Sequence, residues 1–370
     1  MEDPFRFADA LGPAKMVAIH RPAVPLKAIV AIDNTACGPA IGGVRMALDA
    51  SAEEAFRLAR AMTFKNAAAG LSHGGGKSVI LADPKMPRPQ KERTIRAFAS
   101  AIRDLVEYIP GPDMGTDETA MGWVFDEIGR AVGLPRELGG IPLDEIGATG
   151  FGLAVSVEVA SRHIGLALDG ARVVVEGFGA VGRHAARFLA GKGAILVGAS
   201  DSTAALADKG GLDEKALFAW KASGRSLRDY PKGEKLAPEA LIAVPCDIWI
   251  PAARPDVIHA ANVDRLDARI LAEGANIPAS AEAEAALAAR GILVIPDFIA
   301  NAGGVICAAA EYHGESESAA VAAIEEKIRA NTAALLEALG RPETLPRKAA
   351  EALARARLER AMAIRRWEAR

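Results

Sequence analysis

At 370 residues, half of them apolar and a quarter charged, the chain has the composition of a globular protein too long for one small core, so two domains are expected. A net charge of -3 offers no basic surface for nucleic acid or an anionic membrane, and neither is expected as a partner. Cys37, Cys246 and Cys307 show neither metal-ligand nor disulfide spacing; they are expected as small core residues in a reducing cytosol, with no metal bound.

The opening MEDPFRFADALG lacks the basic-then-apolar layout of a signal peptide, and no apolar run is long enough to span a bilayer, so a cytoplasmic protein is expected. The first well-marked element is SAEEAFRLARAMTFKNAAAG, a helix with a capping box at Ser51 and Glu54 and a stop at Gly70. Leu58, Met62 and Lys65 share one of its faces. Such a lysine either snorkels to water or lines a cleft and meets a bound anion.

Next comes LSHGGGKSVI. A P-loop needs a glycine six residues before the lysine, where Leu71 stands, and it follows a strand and opens a helix. Here a helix precedes and the strand SVILAD follows, so the segment is not a P-loop. Gly74, Gly75 and Gly76 are expected to let backbone pass close to a ligand; the plainer alternative is a helix-to-strand turn with a solvated Lys77. In EYIPGPDMGTDETAMGWVFDEIG, Pro110, Gly111 and Pro112 predict a rigid loop before a helix capped near Thr116. Asp113 sits on that loop and by itself reads as a turn former.

From about residue 150 short apolar runs alternate with helical stretches: RVVVEGFG, AILVGASD, CDIWIPAA, RILAEGAN and GILVIPD, with EKALFAWKA and SAEAEAALAARG between. The alternation predicts a Rossmann-like, doubly wound parallel sheet. GFGAVG fits G-x-G-x-x-G between a strand and a helix. Gly177 permits the tight turn, Gly179 lets backbone approach a pyrophosphate, and Gly182 lets helix and strand pack closely; Phe178, Ala180 and Val181 complete the turn. Asp201 ends the second strand, where an acid suits ribose hydroxyls and favours NAD; Ser202 beside it leaves NADP possible. The alternative for Asp201 is a turn cap.

Taken together, GPAIGGVRM, MTFKNAAAGLSHGGGKSVI, GPDMGTDE, ATGFG, GFGAVG, LAEGANIP and PDFIANAGGV resemble, in order and over nearly the whole chain, the glutamate, leucine, phenylalanine and valine dehydrogenase family. The resemblance implies an α/β protein with two domains. One is a substrate-binding and oligomerisation domain (residues 1–140 plus a C-terminal helix at about 343–370); the other is a dinucleotide-binding domain (residues 141–342). It also implies a site in the cleft between the domains and a homo-oligomer, hexameric or octameric. By resemblance Lys65 binds the substrate α-carboxylate, and Lys77 and Asp113 are catalytic. Met62, Ile41, Gly42, Gly111, Val305 and Ala308 line the substrate pocket, and Thr149, Ala252, Asn276 and Asn301 border the cofactor.

The implied reaction takes an amino acid to its 2-oxo acid and ammonium. Hydride leaves Cα for the nicotinamide, and water then hydrolyses the iminium. A lysine whose pKa is lowered to about 7–8 can activate that water, and an aspartate can shuttle protons at nitrogen. Ile41 stands where the glutamate enzymes resembled carry the lysine that grips the side-chain carboxylate, and Ala308 where they carry serine. Both imply an apolar amino acid, as in the leucine and phenylalanine branch, although DSTAALADKGGLDEKAL and EGANIP look more like the glutamate branch. Gly111 and Ala308, small where leucine enzymes carry alanine and valine, leave room for an aromatic side chain. The rivals are glutamate oxidation, an amino-acid sensor on the same fold, and a hydroxy-acid dehydrogenase. The last would want a histidine; His73 is nearest the glycine run and reads as a loop residue.

Overall fold

The computed structural model describes residues 3, 5–340 and 344–365. They fold into two compact units.

The first unit takes the chain up to Pro142, then Val305–Val321, then the chain from Leu353. It runs β1 (Lys15–Arg21), β2 (Leu26–Asn34), β3 (Ala40–Ala47), α1 (Ala52–Ala68), β4 (Gly74–Leu81), α2 (Arg88–Ala101), β5 (Tyr108–Pro112) and α3 (Glu118–Ile128). The sheet order is β1-β2-β4-β3-β5; β4, β3 and β5 are mutually parallel, and β2 runs antiparallel to both its neighbours, β1 and β4. Val44, Met46, Ile80, Phe98, Tyr108 and Met121 form the larger core on one face. Each such side chain stabilises the unit by about 1.5–3 kcal/mol. On the other face Ala31, Ala55, Ala59 and Val79 make a thinner layer under α1. Ser51 caps α1, accepting from the Glu54 N–H, as the capping box predicts.

Two expectations are corrected here. The glycine run does not lie in a ligand-facing loop, because Gly74, Gly75 and Gly76 are the first residues of β4. They are needed for packing: a Cβ on Gly75 would fall 2.1 Å from the Thr63 backbone nitrogen in α1, and one on Gly76 2.8 Å from the Tyr108 ring. Nor are Pro110–Pro112 a loop; they close β5, at the sheet edge, where proline's missing N–H is tolerated. The helix that follows is capped by Asp117, which accepts from the Ala120 N–H, while Thr116 instead donates to the Val44 carbonyl.

The second unit holds Leu143–Gly304 and Ala322–Ala352. It contains α4 (Leu143–Ile146), α5 (Ala148–His163), β6 (Arg172–Glu176), α6 (Ala180–Ala190), β7 (Ile195–Ser200), β8 (Ala205–Ala207), α7 (Glu214–Ala222), β9 (Glu234–Leu236), β10 (Ile248–Pro251), β11 (Ile270–Ala272), α8 (Ala281–Ala289), β12 (Leu293–Ile295) and α9 (Asp297–Ala300). The order is β12-β11-β10-β6-β7-β8-β9. The five strands expected from the apolar runs are parallel; β8 and β9, too short to show a period, add an antiparallel edge. The order reverses between β6 and β10, which makes the carboxyl end of β6 the topological switch point.

Three more helices follow among the described residues: α10 (Gly303–Tyr312), α11 (Glu317–Ala338) and α12 (Pro346–Ile364). Val305–Val321, expected with the dinucleotide half, belongs to the first unit. The Glu311 carboxylate accepts from the Leu134 and Ile141 N–H groups at 3.0 and 2.8 Å, and the His313 and His73 Nε2 atoms are 3.1 Å apart. His73 is therefore a buried loop residue tied to α10's end. Arg357 of α12 donates to the Ala67 and Leu71 carbonyls at the end of α1. Residues 343 and 366–370 of the expected C-terminal helix lie outside the described residues. Of the cysteines, Cys307 is buried, whereas Cys37 and Cys246 are only half-buried.

Candidate active site

Strand alternation builds one wall of the site. Gly75, Lys77 and Val79 of β4 point to the α1 side, and the parallel register places Ile41, Gly43 and Arg45 of β3 on the same side. The register Gly43↔Gly111 then brings the end of β5 alongside, and Asp113, the residue after it, follows. Lys77 and Asp113 meet as an ion pair through Nζ and Oδ2. Arg45 reaches the same Oδ2 with its Nε at 3.2 Å, and its Nη1 is 2.5 Å from Glu54 Oε1 on α1.

Lys77 is only 6% exposed. Burial pulls its ammonium below the ordinary lysine range against the opposing pull of Asp113, and the Arg45 guanidinium adds to the lowering. Burial acts to raise Asp113, but Lys77 and then Arg45 outweigh it and hold the carboxyl below its usual range. Behind the pair, the buried Tyr108 hydroxyl donates to the Gly42 carbonyl and shares a hydrogen bond with Ser78 Oγ, both at 2.9 Å.

The other residues expected at the substrate are placed as follows. Lys65 and Met62 are half-buried on α1, which packs on this face. Ile41 is buried. A Cβ on Gly42 would fall 1.6 Å from the Gly76 carbonyl oxygen, and one on Gly111 3.0 Å from Val132 Cγ2. The small size of both residues therefore has a packing reason inside the unit. Val305 is half-buried and Ala308 buried on α10.

In the second unit the GFGAVG turn has the geometry its spacing predicts. Gly177 turns tightly at φ +87°, and a Cβ there would sit 2.5 Å from that of Ala253. Gly179, the residue before α6, is exposed with open space where a Cβ would be. Gly182 packs so closely that a Cβ would be 2.2 Å from the Gly177 carbonyl oxygen. Phe178 is buried and its N–H donates to the Ser200 carbonyl, while Ala180 and Val181 are half-exposed. The Ala252 N–H donates to the Glu176 carbonyl, so Ala252 flanks the turn from β10. These features fit a dinucleotide pyrophosphate on the α6 N-terminus.

Asn301 Nδ2 donates to the Gly274 carbonyl at 3.2 Å and to Asn276 Oδ1 at 3.1 Å. Its buried Oδ1 has no partner among the described residues. Asn276 is exposed, and Ile277 beside it takes φ +49°, a strained conformation for a β-branched residue. Thr149 is in the first turn of α5, its Oγ1 2.9 Å from where a Cβ on Gly304 would be.

Asp201 departs from the ribose-binding expectation. Its Oδ1 accepts from the Thr203 N–H and hydroxyl at 2.9 and 2.6 Å; its Oδ2 accepts from Lys221 Nζ and the Leu227 N–H at 2.7 and 2.9 Å. It is the turn cap, with its charge already paired. Ser202 beside it is exposed.

Arg45 was not singled out from the sequence, and Glu54 was expected only in the capping box of α1, not as the partner of Arg45. The period-2 pattern of GPAIGGVRM carried a signal, since it sets Arg45 on the same face as Ile41 and Gly43. Among the described residues no group of histidine, cysteine or acidic side chains could hold a metal, and no helix is long and apolar enough to cross a membrane.

The family model described as Glutamate/Leucine/Phenylalanine/Valine dehydrogenase matches residues 139–366, and the one described as Glu/Leu/Phe/Val dehydrogenase, dimerisation domain, matches residues 20–130. Glutamate dehydrogenase of Aeropyrum pernix is 37% identical over 357 residues, spanning 90% of this chain and 85% of its own. The crystal structure of hetero-hexameric glutamate dehydrogenase from Thermus thermophilus, Leu bound form, is similar with a TM-score of 0.85 at 29% identity, covering 95% of this chain and 90% of that one. L-tryptophan dehydrogenase from Nostoc punctiforme is similar with a TM-score of 0.75 at 26% identity, covering 95% of this chain and 97% of that one.

Proposed function

The chain belongs to the glutamate/leucine/phenylalanine/valine dehydrogenase family and is an NAD(P)-dependent amino-acid dehydrogenase; from that premise we propose that its substrate is an apolar L-amino acid, branched-chain or aromatic, converted reversibly to the 2-oxo acid and ammonium. The observation that carries the proposal is Ile41, buried on the same face of the sheet as Lys77. A glutamate side-chain carboxylate set against it would be desolvated without a partner, which is costly. The cation of the same strand, Arg45, is already committed to Asp113 and Glu54.

Lys65 holds the substrate α-carboxylate. The bound oxidised dinucleotide supplies the acceptor for the Cα hydride. Lys77, deprotonated with the help of burial and Arg45, takes a proton from the water that attacks the iminium carbon. Its regained charge then stabilises the developing oxygen. Asp113, in contact with Lys77, passes protons to the departing nitrogen. The Gly177–Gly182 turn, with Gly179 at the N-terminus of α6, holds the pyrophosphate, with Ala252, Thr149, Asn276 and Asn301 bordering the ribose and nicotinamide. Because Asp201 is neutralised by Lys221, it offers little repulsion to a 2′-phosphate, and both NAD+ and NADP+ are expected to be accepted. A homo-oligomer is proposed, whereas the Thermus relative is described as a hetero-hexamer.

Glutamate is the second reading, favoured by the name of the Aeropyrum relative. Initial rates with leucine, valine, phenylalanine, tryptophan and glutamate, each with NAD+ and NADP+, separate the two. Apolar substrates are expected to show the highest kcat/KM. Glutamate exceeding all of them would overturn the pocket assignment, and no reduction of nicotinamide with any amino acid would favour a sensor.

A further inference from the structure

We propose that Arg45 is a positioning residue for this reaction: its Nε holds the Asp113 carboxylate against Lys77, and Glu54 in turn holds the guanidinium. The proposal rests on the roles given above to Lys77 and Asp113.

Three observations point to it. First, Arg45 Nε and Lys77 Nζ converge on one atom, Asp113 Oδ2. Two cations on one oxygen fix where the carboxylate sits and leave its other oxygen outside that grip. Second, Arg45 is anchored from the far side by Glu54 at 2.5 Å, so the fork is held in place before any substrate arrives. A guanidinium tethered at both ends has little rotamer freedom left, which a flexible surface arginine would not show. Third, Arg45 side-chain exposure is 18% and that of Asp113 19%, so solvent screens the group only in part.

The electrostatic consequence has a definite sign. A fixed positive charge beside Lys77 disfavours its ammonium form, and beside Asp113 it favours the carboxylate. Arg45 therefore keeps the base deprotonatable and the shuttle ionised together. Among the described contacts of the pair, the charged groups are Arg45 from β3 and Glu54 from α1, with Lys65 also on α1; the Tyr108 phenol from β5, neutral and bonded to Ser78, adds none. Burial is the largest cause that lowers Lys77; Arg45 adds to it, and Glu54 acts in the opposite sense. Removing the guanidinium leaves Glu54 and Asp113 around Lys77. Its ammonium is then stabilised, and less free base is present at any given pH.

The test is the pH profile of kcat/KM for amino-acid oxidation by the full chain, compared among wild type, Arg45→Met and Arg45→Lys. In Arg45→Met the rising limb, set by Lys77 deprotonation, should move to higher pH. Neutral-pH turnover should fall roughly 10- to 100-fold, the size expected for a lost charge-assisted hydrogen bond. KM for the dinucleotide should stay within about twofold, because the cofactor turn is built by other residues. Arg45→Lys keeps the charge but not the fork, so its limb should return towards that of wild type with turnover only partly restored. A merely structural arginine would lower activity without moving the limb, and that result overturns the proposal. So does a wild-type profile in Arg45→Met. Should Arg45→Met fail to fold, Arg45→Lys decides alone: full wild-type turnover in it refutes the need for the fork. Absence of amino-acid-dependent turnover in wild type is a separate outcome, which refutes the functional reading itself.

Discussion

Replacing Gly43 by alanine sets one methyl group between the two groups assigned to catalysis. The added Cβ would lie 2.7 Å from the Asp113 Cβ, 3.0 Å from the Pro112 carbonyl oxygen and 3.1 Å from Lys77 Nζ. Carbon atoms in contact settle at about 3.5–4.0 Å, so Asp113 must retreat by roughly 1 Å. Gly43 does not occupy the left-handed region, so the effect is steric rather than backbone strain. Overpacking of this kind costs about 1–3 kcal/mol, and if it is expressed as displacement of the reacting pair, kcat/KM falls roughly 5- to 150-fold. Initial rates with a saturating dinucleotide and an apolar amino acid would measure it, with a thermal melt alongside to separate lost activity from lost fold. KM for the dinucleotide should not change. A variant with wild-type kcat/KM and an unchanged melting temperature would show that the spacing of Lys77 and Asp113 does not govern turnover, and the assignment of the pair would fall with it.

Two further predictions concern the second unit. Gly182→Ala places a Cβ 2.2 Å from the Gly177 carbonyl oxygen and 2.7 Å from Val175 Cγ1, which pushes α6 off β6; dinucleotide KM should rise by about tenfold or more, and an unchanged KM would argue that this turn does not hold the pyrophosphate. His184 is buried, its Nδ1 without a hydrogen-bond partner among the described residues, and burial, helped by Arg187 and Arg183, pulls its pKa down to about 4 from 6.5. Between those values the unfolded chain binds the extra proton, so stability should fall as pH drops through that window, by on the order of 1–3 kcal/mol. Urea unfolding above and within the window would show the slope in wild type and its reduction in His184→Gln; equal slopes would refute the assignment.

The parallel strands of the second unit were legible because each is an apolar run of strand length ended by glycine or an acid. The GFGAVG turn was legible for a related reason: its three glycines do their work within six residues, so local sequence holds the whole geometry. Ordered motifs also singled out Lys77 and Asp113, which the structure brings together as an ion pair. Elsewhere local pattern misled. GGGKS looked like a loop because a glycine run has no side chains to show a period, yet its glycines are the floor on which α1 and Tyr108 pack. For Asp201 the sequence left a ribose ligand and a turn cap open, and the structure shows the cap; its donors on Lys221 and Leu227 lie too far along the chain to be seen from the strand end.

The sequence by itself marked SVILAD, the later part of β4, as a strand; alternation along β3, β4 and β5 then fixes which side each residue faces. Parallel strands, however, are joined by long crossovers, so no turn sets how far one slides along the next. The register that brings Gly43 beside Gly111, and so Arg45 and Lys77 to one oxygen of Asp113, is decided by close packing of glycine against backbone across strands and under α1. Only the tertiary structure holds that information, because each contact joins residues far apart in the chain.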